Sequence, residues 1–75
     1  MKVTVKLIGG FVYAAGFSEK TFELAPGSTV ETVLESLGLD ASIPKIVARN
    51  GAVVATEEAL EEGDRVVISP IYSGG

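Results

Sequence analysis

The sequence contains no cysteine, no histidine and no tryptophan. Without a thiol or an imidazole there is no thiolate nucleophile, no imidazole base, no disulfide and no zinc-type ligand set. Cations are few: six Lys and Arg stand against ten Asp and Glu, for a formal net charge of −4. A chain of that balance has no basic patch to neutralise phosphates. Nucleic acid is therefore disfavoured and a basic protein partner favoured. Long apolar runs are missing too, with nothing near the roughly 18 residues that a membrane span requires. Met1-Lys2-Val3-Thr4 enters a strand pattern directly, without the layout of a secretory leader, so the expected compartment is the cytoplasm.

What is present suits one small domain over residues 1–75, held by core packing alone. The hydrophobic fraction of 47% is too high for intrinsic disorder. Met1 to Ile8 alternates, with Val3, Val5 and Leu7 on one face and Lys2, Thr4 and Lys6 on the other, as in a half-buried strand. Thr21 to Leu24 alternates likewise, and Pro26-Gly27 breaks it. Ser28 as N-cap with Glu31 three residues on makes a capping box. Val30, Val33, Leu34 and Leu37 then form one apolar helical stripe, ended by Gly38. Lys45 to Arg49 reads as a strand, Asn50-Gly51 as a hairpin turn, Ala52 to Ala55 as a short strand and Arg65 to Ile71 as the last one. Leu60 pins the turn between them. The economical architecture is α+β: a mixed sheet of four to five strands with one main helix across it, the last strand central and parallel to the first.

The chain ends in Ile71-Tyr72-Ser73-Gly74-Gly75. With no other nucleophile or electrophile available, the most reactive group on offer is the Gly75 carboxylate. Glycine lacks Cβ, so the final two residues fit a narrow channel in almost any backbone conformation. An extended segment from Tyr72 to Gly75 spans roughly 13 Å. That length suffices to enter another protein's active site while the body stays outside, and the tail is expected to be flexible from about residue 72.

Taken together, Pro26-Gly27-Ser28-Thr29-Val30, Asn50-Gly51, Leu60-Glu61-Glu62-Gly63-Asp64-Arg65-Val66 and the terminal Gly74-Gly75 resemble the ubiquitin-like sulfur carriers. That group includes the small subunit of molybdopterin synthase and the thiamine-pathway sulfur carrier. The resemblance covers nearly the whole chain and is weakest from Gly9 to Lys20. It implies a β-grasp fold and a non-catalytic carrier that binds no cofactor itself. A ubiquitin-activating-type enzyme would use ATP to adenylate Gly75, and a sulfur donor would convert the adenylate to a thiocarboxylate. The large catalytic subunit of molybdopterin synthase is then the expected recipient. Pro70 before an aliphatic residue and Ser73-Gly74-Gly75 favour that branch. The uncharged stretch Gly9 to Phe17 departs from it, because an Arg-Glu pair and a short helix are usual there. By the same resemblance Gly74 and Ser73 thread the tail, Val67, Pro70, Ile71 and Tyr72 dock the partner, and no metal is bound.

Three features invite a second reading. Phe11, Tyr13 and Phe17 are expected to fold back as a lid on the core, against the alternative of an exposed partner contact. Glu57, Glu58, Glu61, Glu62 and Asp64 are expected to form a solvated face, against electrostatic steering toward a basic partner. Finally, the same tail serves a protein modifier joined through Gly75 to lysines, a thiamine or thiolation-pathway carrier, or an interaction domain whose glycines are incidental.

Overall fold

The computed structural model describes residues 1–39 and 42–71. Strand β1 (Lys2–Leu7) buries Val3, Val5 and Leu7 at alternate positions, as its pattern dictates. It pairs antiparallel with β2 (Glu19–Glu23), Lys2 opposite Glu23 and Lys6 opposite Glu19. The connection is not a plain loop. It contains a short helix, α1 (Gly10–Ala15), entered through Gly9 at φ 62, ψ −139 and closed by Gly16 in the left-handed conformation. Only glycine adopts the Gly9 geometry without strain. The helix has no polar cap and no charge in its terminal turns, so Gly16 is the one boundary signal it carries in the sequence. Buried Phe11 fixes it to the core.

Main helix α2 (Val30–Leu37) follows the turn at Pro26-Gly27 and ends at Gly38 as expected. Its cap differs from expectation by one residue. Ser28 Oγ donates to the Ala25 carbonyl at 2.7 Å, so that hydroxyl serves the preceding turn. Thr29 becomes the N-cap. Its Oγ1 accepts from Thr32 N–H and its own N–H donates to Thr32 Oγ1, a reciprocal box built from two threonines. The shift has a tertiary cause: Leu60 N–H donates to Ser28 O, while Val30 and Glu31 N–H donate to Glu58 O and Thr56 O. The 56–60 segment thus satisfies donors that a helix start leaves open. Thr29→Ala is expected to cost about 1 kcal/mol by urea unfolding, and Ser28→Ala clearly less. Equal effects would return the cap to Ser28.

Strands β3 (Lys45–Arg49) and β4 (Ala52–Val53) join through Asn50 at φ 50 and Gly51 at φ 88. Two successive positive φ values are what a type I′ hairpin turn demands. Strand β5 (Arg65–Pro70) completes a five-stranded sheet of order β2-β1-β5-β3-β4, parallel to β1 and antiparallel to β3. The expected central, parallel placement of the last strand is met. Val3, Val5, Leu7, Phe11, Val30, Val33, Val47, Leu60, Val66 and Ile68 form one core cluster. Phe17 packs against its edge and meets the Phe22 ring edge-on at 5.8 Å. The aromatic lid is therefore built from Phe11 and Phe17, while Tyr13 is 90% exposed and takes no part. No helix among the described residues is long and apolar enough to cross a membrane.

Candidate functional site

Alternation along β5 sends Val66 and Ile68 into the core and puts Val67, Ser69 and then Ile71 on the opposite face. The strand is held by β1 as far as Ile68 and by β3 to its end. Ile8 N–H donates to Ile68 O from the β1 side, and Ile71 N–H donates to Pro44 O at 3.1 Å on the β3 side. Asn50 N–H donates to Arg65 O, so alternate residues from Arg65 to Ile71 address β3. Pro70 faces the other way, where β1 has already turned off into α1. Its missing N–H forfeits no ladder bond there.

Val67 lies between Lys6 of β1 and Ala48 of β3, and Ala48 stands opposite Val53. Ile46 pairs with Ser69 one step further along. The outer face is therefore divided. On the β1–β2 side it is charged, with Lys2, Lys6, Glu19 and Glu23, and with Arg65 bridging to Glu19 at 2.9 Å. Its β5–β3–β4 side is apolar and open: Ile46 is 43% exposed, Val53 74% and Ile71 49%. Of the four expected docking residues, Val67 and Ile71 share this face. Pro70 is half-buried on the helix side, in register with Lys45, and Tyr72 lies outside the described residues, as do Ser73, Gly74 and Gly75.

Ile46, Ala48 and Val53 went unread because Lys45 to Arg49 does not alternate in polarity, leaving period 2 no face to choose. The signal was nevertheless present in Asn50-Gly51. A two-residue turn fixes Ala48 opposite Val53, and with it the face that both share.

Within the acidic run Glu57, Glu61 and Glu62 are exposed, as a solvated face requires, and Asp64 is the exception that belongs to the framework. Asp64 is buried and accepts from Arg49 Nε at 2.7 Å, Asn50 Nδ2 at 2.9 Å and the Glu61 N–H at 2.7 Å. Arg49 reaches on to Glu58 at 3.0 Å and Glu61 at 3.7 Å. Burial by itself pushes the Asp64 carboxyl up. Hydrogen bonds from Arg49, Asn50 and Glu61 outweigh it and hold the group below its usual range. The Arg49 guanidinium is raised, chiefly by that same bond to Asp64. No cluster of three or more potential metal ligands occurs among the described residues.

A mixed sheet of order 2-1-5-3-4 under one main helix, its central strand running out toward a diglycine terminus, is the arrangement implied by the resemblance drawn from the sequence. The family comparison decides it: the model described as the ThiS family matches residues 5–75. The chain belongs to the ThiS family. Among solved structures, this ThiS-family chain superposes on SAMP1 from Haloferax volcanii with a TM-score of 0.84. They are 25% identical over 100% of both chains. A Pyrococcus furiosus protein provisionally assigned as molybdopterin converting factor subunit 1 gives 0.81 at 28% identity, over 93% of this chain and 97% of that one. A chain from the complex of subunits 1 and 2 of the Helicobacter pylori molybdopterin-converting factor gives 0.67 at 16% identity over 100% of both, a likeness of fold. These neighbours bear out the ubiquitin-like β-grasp fold expected for this member of the ThiS family.

Proposed function

We propose that the protein carries sulfur on its C-terminal carboxyl group and serves as the non-catalytic small subunit of a molybdopterin synthase. A carboxylate is a poor acyl donor until one oxygen becomes a leaving group. An activating partner supplies that by transferring adenylate from ATP to the Gly75 carboxylate, with release of pyrophosphate. A sulfur donor then displaces AMP and leaves a thiocarboxylate, whose sulfur is the nucleophile delivered to the recipient. In this scheme the carrier contributes the acyl group and the partner contributes the acids and bases. Gly74 and Ser73 give the tail a thin leading end. The apolar half-face of Val67 and Ile71, widened by Ile46 and Val53, docks the body, and Pro70 stiffens the end of β5.

The observation that carries this reading is Gly74-Gly75 placed a few residues beyond a central strand locked on both sides, in a chain matched by the ThiS model almost throughout. The likeness to molybdopterin converting factor subunit 1 and to a subunit 1–subunit 2 complex supports the choice of recipient. Incubated with its activating enzyme, ATP and a sulfur source, the intact protein is expected to gain the oxygen-to-sulfur mass difference at Gly75. An unchanged mass with every adenylating enzyme of its own genome would sink the proposal.

A second reading is supported by the likeness to SAMP1, a small archaeal modifier protein. The same activated Gly75 would then be captured by a lysine amine, forming an isopeptide bond with release of AMP. Gly-Gly remnants on lysines of other proteins after proteolysis would establish it. Their absence, with cofactor deficiency on gene deletion, would leave the carrier role alone.

A further inference from the structure

A groove of about 380 Å3 runs between α2 and the 43–45 segment. Leu34, Leu39, Ile43 and Pro44 supply its apolar walls, Glu31 and Glu35 stand on its helix side, and Thr56 and Lys45 complete the lining, the Lys45 ammonium donating to Ile43 O and lying over the Phe11 ring. Ile43 is 39% exposed although it sits on a domain too small to waste apolar surface.

The two glutamates are anomalous in this molecule. Glu19 pairs with Arg65, Glu23 with the terminal amine, and Glu58, Glu61 and Asp64 with Arg49. Glu62 accepts from the Lys2 N–H and Glu57 from the Thr56 hydroxyl. Of the described carboxylates, only those of Glu31 and Glu35 have no such partner within the described residues. They lie one helical turn apart, a spacing at which like charges destabilise a helix. Glu35 also stands in the last turns, where the helix end is already negative and no basic residue offsets it. Glu31, in the first turn, suits the positive helix end, but nothing among the described residues offsets Glu35 or the repulsion between the two.

We propose that this groove docks a cationic amphipathic segment of a protein partner, an apolar side chain seated on Leu34, Leu39 and Ile43 with Lys or Arg on either side meeting Glu31 and Glu35. Cations about 6 Å apart match the two carboxylates, the spacing of positions one turn apart on a helix. The groove lies at the small end of the range for ligand sites and accepts a few side chains rather than a domain. With the Lys45 ammonium already engaged by Ile43 O and the Phe11 ring, charge weighs against the other occupants. A second copy would oppose four carboxylates across the interface, the chain's own terminus brings a further carboxylate, and an anionic lipid surface is repelled. The site uses no residue of the sulfur chemistry and stands or falls apart from it. It does adjoin the end of β5, because Pro44, which lines the groove, holds Ile71 N–H through its carbonyl.

The test is an amide-shift titration of the 15N-labelled full chain with a synthetic helical Leu/Lys peptide, alongside the same peptide with Glu for Lys. Saturable shifts are expected at Leu34, Leu39, Ile43 and Thr56 with the Lys peptide alone. Glu31→Gln with Glu35→Gln removes two exposed ion pairs and should weaken binding about three- to tenfold. Ile43→Ser should weaken it about tenfold. The proposal is overturned by any of five results: no saturation, equal binding of the Glu peptide, affinity unaffected by the double Gln change, shifts at residues 57–62 instead, or shifts at the groove that depend on protein concentration alone. Movement of the groove amides on removal of residues 72–75 would assign the groove to the tail and overturn it equally.

Discussion

A chain bearing one extra alanine after Gly75 is expected to fold as the native protein does and to acquire no sulfur at all. The folding half of that expectation follows from where the core lies. Its buried cluster is drawn from Val3 to Ile68, and the described strand ladder is complete by Pro70. One alanine beyond Gly75 removes none of these contacts, so urea midpoints of the two forms should agree within about 0.5 kcal/mol. The chemical half follows from geometry. A reacting carbonyl must sit within about 3–3.5 Å of its attacker, and a displacement of 1 Å can cost a hundredfold. One added residue moves the carboxylate by about 3.5 Å. Ile46→Lys tests the docking half of the scheme separately. It puts a charge into the apolar half-face and should raise KM for the activating enzyme about tenfold or more while leaving kcat near native, the pattern of lost uniform binding. Unimpaired sulfur loading of the extended chain would show that Gly75 is not the reactive carbon.

Much of the fold was legible because two periodicities were clean. Val3, Val5 and Leu7 fixed the inward face of β1, and Val30, Val33, Leu34 and Leu37 fixed that of α2. Asn50-Gly51 located the β3–β4 turn to the residue. Elements escaped wherever a local signal had a tertiary competitor. The Ser28 hydroxyl was an adequate cap until the carbonyls of residues 56–60 fixed the helix start one residue later. Helix α1 has neither cap nor amphipathic charge pattern, and is specified by two glycines in unusual conformations and one buried phenylalanine. Within the candidate site, period 2 placed Val67 and Ile71 together. Applied to Pro70, the same rule already sends it to the opposite face. Ile46 and Val53 required the strand register, which polarity alone does not carry where Ile46, Val47 and Ala48 run without alternation. Asp64 is the sharpest case. By composition it is the fifth acid of a run, and only the fold shows that three donors converge on it.

That convergence makes Asp64→Ala the substitution with the largest expected effect on stability, about 2–4 kcal/mol. Alanine leaves Arg49 Nε, Asn50 Nδ2 and the Glu61 N–H facing a site with no acceptor. It also loosens the start of β5. There, Asp64 O receives Thr4 N–H, and Asn50 bonds to Arg65 in both directions, its N–H to Arg65 O and its Oδ1 from Arg65 N–H. In a domain of this size each kcal/mol lowers Tm by about 4–8 °C. Glu57→Gln, which alters an exposed acid held only by Thr56, should stay within about 0.5 kcal/mol. The pH dependence has a fixed sign. The native carboxyl releases its proton more readily than the unfolded one, whose pKa is about 4, so over this range the unfolded state binds more protons and stability rises with pH. The contribution is fully present above that unfolded value and disappears as pH falls through the lower native one. Urea midpoints of the native protein should therefore hold from neutral pH down to about 4 and fall steeply beneath it. Asp64→Asn, already uncharged at the site, should lie lower at neutral pH and decline less on acidification. A native curve parallel to the Asn curve throughout would mean that the Asp64 charge does not hold the turn, and that the strand carrying the tail is anchored by its packing alone.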